Sequence, residues 1–131
     1  MISTAPDGVI TFVDGLPGFE TCREFVIVAS PELQPFAVMQ GVDPDGPSFV
    51  AIDPRKVEPQ YPVVLDATNL ARLATDGREP LLWLAIVAAD ADGLATANLR
   101  APVVINPGAM RGIQLITPES PYPVDHPLQV G

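Results

Sequence analysis

The stretch that decides the fold runs from Leu94 to Asn106 and reads LATANLRAPVVIN. Its first part has the polar interruptions of a half-exposed strand, and Val103-Val104-Ile105 near its end is a β-branched strand. Between them lies Arg100-Ala101-Pro102, where Pro102 lacks the N–H that a continuous strand would use. The stretch therefore predicts two strands joined by a kink, a pattern too particular for a generic turn.

The rest of the chain favours short strands and many turns. The sequence carries 16 prolines, spread from Pro6 to Pro127, and each removes a backbone donor that a long helix would need. Apolar runs bounded by Pro, Gly and Asp have the spacing expected of a sandwich or a barrel. The predicted strands are Val9–Val13, Phe25–Ala29, Phe36–Gln40, Ser48–Ile52, Tyr61–Leu65, Leu81–Ala88, Leu94–Asn98, Val103–Asn106 and Gly112–Ile116.

One of these strands is expected at the centre of the fold. Leu81 to Val87 is apolar on both faces of the pleat, which predicts a strand covered on both sides. Trp83 in this run is therefore predicted to be a core residue.

One short helix is expected between Ala67 and Ala74. Asp66 or Thr68 could cap its start, and Thr75-Asp76-Gly77 would stop it. From about residue 117 the sequence turns proline-rich, which predicts an extended tail lying on the surface or mobile. We therefore expect a single, mainly β domain over residues 1–131 with one short helix, antiparallel sheet and an extended C-terminal tail.

Composition and charge restrict the possible functions. Sixteen acidic residues against seven Lys and Arg give a net charge of −9, which argues against direct nucleic-acid binding and favours a basic protein partner. The N-terminus lacks the pattern of a secretory signal, so a cytoplasmic location is expected. The longest apolar run is about half of the roughly 20 residues that a membrane-spanning helix needs.

No pattern of residues predicts a catalytic or metal centre. The two Asp-x-Asp-Gly segments at 43–46 and 90–93 lack the later ligands of a calcium loop, so we interpret them as turns. His126, the single histidine, has no triad partner nearby and is predicted to be a docking or surface residue. Cys22 lies between Glu20 and Glu24, which disfavour its thiolate, so a packing role is expected. We expect no cofactor.

Recognition fits the remaining features better than catalysis does. The turn Gly15-Leu16-Pro17-Gly18 presents Phe19 and Glu20, and several acids lie in turns between strands. The alternative for Phe19 is that its ring plugs one end of the core.

Several motifs make the chain resemble the bacterial flagellar assembly factor FliW along nearly its full length. They are Gly15-Leu16-Pro17-Gly18-Phe19-Glu20, Pro35 to Gln40, Phe49 to Pro54, Thr96 to Asn106, and His126-Pro127-Leu128. The Thr96 to Asn106 block is the most specific. Asp125 stands where the family usually has a basic residue. The resemblance implies a small antiparallel β-barrel-like domain, in agreement with the strand pattern.

The resemblance also implies a function without catalysis. Members of the family bind the RNA-binding translational regulator CsrA, relieve its repression of flagellin synthesis, and bind flagellin as a competitor. Because the chain has few bases to neutralise its acids, we expect the partner-binding surface to include Phe19, Glu20, Glu24, Asp43, Asp45 and Asp53. The competing hypotheses are a small β-barrel enzyme and a ligand-binding barrel of the lipocalin type.

Overall fold

The structure is a computed structural model that describes residues 8–44, 46–89, 91–116 and 120–128. Within those ranges the chain forms nine strands and two short helices. The strands are β1 (Ile10–Phe12), β2 (Glu24–Val28), β3 (Phe36–Gly41), β4 (Ser48–Ile52), β5 (Leu82–Ala89), β6 (Ala95–Ala97), β7 (Val103–Asn106), β8 (Arg111–Gln114) and β9 (His126–Pro127). The helices are α1 (Pro54–Val57) and α2 (Ala67–Arg72).

Seven of the strands form a closed barrel, which confirms the predicted fold class. Their order is β4-β3-β2-β1-β8-β7-β5, and a further pairing of β4 with β5 closes the ring. The expectation of purely antiparallel pairing is wrong at one place, because β1 and β8 run parallel, with Thr11 opposite Arg111. Strand directions cannot alternate all the way around a ring of seven, so closure requires a parallel pair.

The barrel interior is filled by alternate residues of its strands. The inward side chains form one buried cluster that includes Phe12 of β1, Phe25 of β2 and Met39 of β3, all fully buried. The rings of Phe12 and Phe25 meet edge to face, with centroids 5.4 Å apart. Gly112 of β8 makes room for this packing, since a Cβ there would lie 2.7 Å from Cζ of Phe12.

The outer face of the barrel carries two further apolar clusters, and Trp83 lies between them. On β5, Leu84 faces the interior cluster, whereas Ala85 belongs to a second cluster with Tyr61 and Leu99. Trp83 packs against this second cluster and against a third one around Val104, but it is only partly buried. Trp83, predicted to be a core residue, thus contacts two buried clusters but is itself only partly buried, because the pleat places it on the outer face of the barrel.

The kink predicted at Arg100-Ala101-Pro102 is a bulge that joins β6 to β7. Both strands pair with β5, but the register shifts by three residues across residues 98–102. Asn98 shapes the bulge, because its Oδ1 accepts hydrogen bonds of 3.1 Å from the backbone N–H groups of Arg100 and Ala101. The bulge carries Leu99, which is fully buried in the second cluster on the outer face.

The predicted helix is confirmed as α2, with a shorter span. Asp66 is its N-cap and accepts a 2.9 Å hydrogen bond from the N–H of Asn69. It ends at Arg72 rather than Ala74, because Ala74 has a φ of 55° that breaks the helical geometry. Buried Asn106 fastens the end of α2 to the barrel by donating from Nδ2 to the Leu73 carbonyl over 2.8 Å.

Two other expectations for local structure are corrected. The sequence predicted one helix, but Asp53 caps a second helix, α1, whose four residues are too few to show helical periodicity. Residues 61–65 do not form the predicted strand. Pro62 has no N–H for a ladder, and the chain here is held instead by the Tyr61 hydroxyl, which donates to the Leu99 carbonyl over 2.6 Å.

The described part of the C-terminal segment, residues 120–128, lies against the outside of the barrel. Residues 117–119 and 129–131, where the predicted tail begins and ends, lie outside the described ranges. Between them Tyr122 packs against the second cluster, and His126 pairs with Ala97 through β9 and β6. Backbone pairing with β6 therefore holds this segment against the barrel.

Candidate interaction surface

The glycine-rich turn between β1 and β2 places Phe19 at the surface. Gly15 has a φ of 68° and lies so close to Glu20 that a Cβ would be 2.9 Å from its Cα. Leu16 is buried, and its carbonyl accepts the N–H of Phe19 over 2.8 Å. Cys22 closes the turn by donating its N–H to the Phe19 carbonyl, and it is buried as predicted. Phe19 thus projects from a turn held tightly to the barrel.

The ring of Phe19 both packs and remains exposed. It is 42% exposed, and it meets the ring of Phe49 edge to face with centroids 5.3 Å apart. Phe49 in turn packs on Phe25 of the interior cluster. The two interpretations of Phe19, a core plug and a presented side chain, therefore each describe part of the ring.

Phe19 and Asp43 lie together in one groove, although they are 24 positions apart in sequence. The groove has a volume of about 390 Å³ and lies between the turn after β1 and the turn after β3. Asp43 is exposed, and its carbonyl accepts the N–H of Gly46 over 2.8 Å, as expected for a turn. The remaining residues that line the groove are Gly18, Thr21, Cys22, Pro44, Gly46 and Pro47. A partly exposed aromatic ring beside a carboxylate suits contact with a basic, partly apolar side chain.

The other predicted surface residues are placed differently. Glu20 and Glu24 are exposed on either side of Cys22, and Glu20 accepts the N–H of Gly18 over 3.2 Å. Asp45 lies outside the described residues. Asp53 follows the far end of β4 and accepts the N–H of Arg55 over 2.9 Å as the cap of α1. The fold thus groups Phe19, Glu20, Glu24 and Asp43 near one end of the barrel and places Asp53 apart from them.

A second groove, missed by the sequence analysis, runs beside the bulge. It has a volume of about 440 Å³ and is lined by Tyr61, Trp83, Arg100 and Tyr122, together with Pro62, Val64, Pro102, Leu115, Ser120 and Pro121. The rings of Tyr61 and Tyr122 have centroids 4.9 Å apart. Burial, with a smaller contribution from Tyr122, raises the pKa of Tyr61 to about 12. The available signal was the concentration of Tyr and Pro in two segments, of which the sequence predicted Tyr61–Leu65 to be a strand and the C-terminal one to be irregular.

A third groove brings together the single lysine and the single histidine of the chain. Lys56 of α1 and His126 of β9 line it with Pro35, Ile52, Val57, Pro127 and Leu128, around a volume of about 480 Å³. His126 Nδ1 lies 2.9 Å from the carbonyl oxygen of Pro127. These two residues are 70 positions apart in sequence, so no motif could have paired them.

The grooves described above lie on the outside of the barrel. Among the described residues, no group of three His, Cys, Asp or Glu side chains is arranged to hold a metal ion. The barrel interior, where a lipocalin-type module would hold its ligand, is occupied by the packed cluster around Phe12 and Phe25. No helix in the described ranges is long and apolar enough to span a membrane.

Fold and surface together define a small closed β-barrel protein with a filled interior and recesses on its outside. The family model described as "FliW protein" matches residues 1–128. The chain therefore belongs to the FliW family.

Similar proteins agree with this assignment. A flagellar assembly factor FliW from Syntrophotalea carbinolica is 36% identical over 123 residues, covering 94% of this chain and 88% of the relative. Another from Thermoanaerobacter pseudethanolicus is 35% identical over 130 residues, covering 98% and 87%. A crystal structure of the flagellar assembly factor FliW superimposes with a TM-score of 0.81 at 32% identity, covering 96% of this chain and 89% of that one.

Proposed function

We propose that this chain is a non-catalytic antagonist of a CsrA-type RNA-binding translational regulator, and that flagellin competes for it. The observation that carries the proposal is family membership over residues 1–128, which makes the chain a member of the flagellar assembly factors. In the proposed cycle flagellin occupies the factor, the regulator is freed, and flagellin translation falls. Export of flagellin then reverses the effect by mass action.

Charge supports the choice of a basic partner. An RNA-binding regulator must present basic surface to RNA, and this chain has a net charge of −9. The exposed carboxylates near Phe19, on Glu20, Glu24 and Asp43, would increase the association rate with such a surface. Both partners act where translation occurs, so we place the protein in the cytoplasm.

A reconstituted translation assay tests the proposal. The purified chain is added to the CsrA-type regulator of the same organism and a reporter with a flagellin leader. We expect relief of repression, and restored repression when flagellin is added, without any metal or nucleotide cofactor. Size-exclusion chromatography checks both complexes directly. Failure to bind either protein at micromolar concentration, where a free energy of about −8 kcal/mol would be detected, contradicts the proposal.

A further inference from the structure

Four valines lie side by side on the outside of the barrel, in a row that crosses four neighbouring strands. The strand registers place Val28 of β2 opposite Val38 of β3, Val38 opposite Val50 of β4, and Val50 opposite Val87 of β5. Residues directly opposite each other point to the same face of a sheet. With strands about 4.8 Å apart, this valine row is about 14 Å long.

The valine row lies on the outer face, because the neighbouring residues on the same strands point inward. Ile27, Met39 and Ala51 are buried in the interior cluster. In contrast, Val28 is 46% exposed and Val50 is 43% exposed. Three successive strands thus present apolar side chains to the outside of a filled barrel.

The chain covers only one end of this row. Val87 packs against the second cluster, beneath the segments that carry Tyr61, Tyr122 and Leu128. The next residue along the row, Ala97, is fully buried by the same segments. Within the described residues, Val28, Val38 and Val50 belong to none of the three apolar clusters. The open part of the row is therefore continuous with a face that the protein already uses for apolar packing.

The three strands that carry the open part contain acidic but no basic side chains. Residues 24–54, which include β2, β3 and β4, contain no Lys, Arg or His. They contain the carboxylates of Glu24, Glu32, Asp43, Asp45 and Asp53. Glu24, Glu32 and Asp43 are exposed. The nearest base before this stretch, Arg23, donates to the Val13 carbonyl over 3.1 Å and is thus held toward β1. The bases that follow it, Arg55 and Lys56, belong to α1, and Lys56 lines the third groove beside Ile52.

We propose that the open valine row, defined as Val28, Val38 and Val50, is a docking surface for a basic protein segment that also carries apolar side chains. The apolar residues of the partner would cover the valines, and its Lys or Arg side chains would meet the acids that β2 and the neighbouring turns carry, Glu24, Glu32 and Asp43. A second copy of this chain fits poorly, because it would bring the same acids together. The inference rests on the proposed function, in which the partner is the RNA-binding regulator.

Two variants with a matched control test the docking surface. The double variant Val28→Thr/Val50→Thr keeps the β-branched shape and adds hydroxyls, and we expect it to weaken binding of the purified CsrA-type regulator about tenfold. Val50→Lys adds a charge of the partner's own sign, and its loss should be greatest at low salt. Val64→Thr is the control, since Val64 is 81% exposed and lies outside the row. Urea unfolding of each variant verifies that the fold is retained.

The outcomes separate this inference from the proposed function. If the wild type binds and the control and valine-row variants bind equally well, the docking surface is wrong while the proposed function stands. If the wild type does not bind the regulator, both are overturned. Sedimentation of the wild type alone tests whether a second copy of this chain binds the valine row instead. Self-association that Val28→Thr/Val50→Thr abolishes would overturn the proposal and assign the row to a second copy.

Discussion

Tyr61 is the residue whose environment most changes its chemistry. Its ring is buried beside Tyr122, and its hydroxyl donates to the Leu99 carbonyl over 2.6 Å. Burial favours the neutral phenol over the charged phenolate. The hydrogen bond favours it as well, because only the protonated hydroxyl can donate to the carbonyl. Tyr61 therefore couples the folded state to its own protonation.

This coupling predicts a loss of stability at high pH. The pKa of Tyr61 is raised from 10.0 to about 12, so the folded state holds the proton more tightly than the unfolded chain. The resulting stabilisation is complete below pH 10 and is lost as the pH rises toward 12. Urea unfolding measured from pH 10 to pH 12 should show a falling free energy of unfolding. In Tyr61→Phe, the part of this fall that is due to ionisation of Tyr61 should be absent. An absorbance titration with both tyrosines ionising near pH 10 would contradict it.

Trp83 offers a second prediction at the residue scale. Because it is only partly buried on the outer face, Trp83→Ala should destabilise the protein by about 2–3 kcal/mol. Phe12 is the comparison, since it is fully buried inside the barrel, and Phe12→Ala should cost about 3–5 kcal/mol. Chemical denaturation measures both. A larger loss for Trp83→Ala than for Phe12→Ala would contradict the placement of the two rings.

At the scale of elements, the bulge between β6 and β7 organises its surroundings. Its backbone carbonyls at Leu99 and Ala101 accept hydrogen bonds from Tyr61 and Gln114. The Arg100 side chain donates from Nε to the Tyr122 carbonyl over 3.0 Å. A segment of five residues thus joins the region after α1, strand β8 and the C-terminal segment. Its shape depends on the side chain of Asn98.

Substitution of Asn98 should therefore loosen the bulge. Asn98→Ala leaves the N–H groups of Arg100 and Ala101 without their acceptor, which should lower the free energy of unfolding by about 1–3 kcal/mol. Asn98→Asp keeps the acceptor oxygen and should restore most of that loss. Hydrogen exchange should show faster exchange at Leu99, Arg100 and Ala101 in the alanine variant. Equal free energies of unfolding for Asn98→Ala and Asn98→Asp would mean that the hydrogen bonds to Asn98 do not stabilise the bulge.

For the whole molecule, the distribution of charge is the property that bears on partners. Reversal of Glu20, Glu24 and Asp43 to Lys should slow association with the CsrA-type regulator and flatten its salt dependence, with little effect on unfolding. Reversal of Glu58, Asp76 and Asp125 makes the same change in net charge away from Phe19. This control should alter the association rate less. Equal rates for the two triple variants would show that only net charge matters.

Local sequence was sufficient for many elements of the fold. The proline spacing and β-branched runs predicted most of the strands, and the two candidate caps, Asp66 and Thr68, placed the start of α2 within two residues. These features depend on backbone donors, side-chain shape and caps within a few residues, so they can be read without tertiary contacts. The same reasoning failed at residues 61–65, where an apolar run is held by a distant carbonyl rather than by a ladder.

The sequence by itself thus determined a mainly β chain with one capped helix, an acidic surface and a kink before β7. Only the tertiary structure decided the parallel pair that closes the seven-stranded ring, the outward position of Trp83, and the groove shared by Phe19 and Asp43. It also decided the valine row, because Val28, Val38, Val50 and Val87 become neighbours only through the registers of four strands. Strand register and barrel closure depend on contacts between residues far apart in the chain, so short-range sequence patterns cannot predict them.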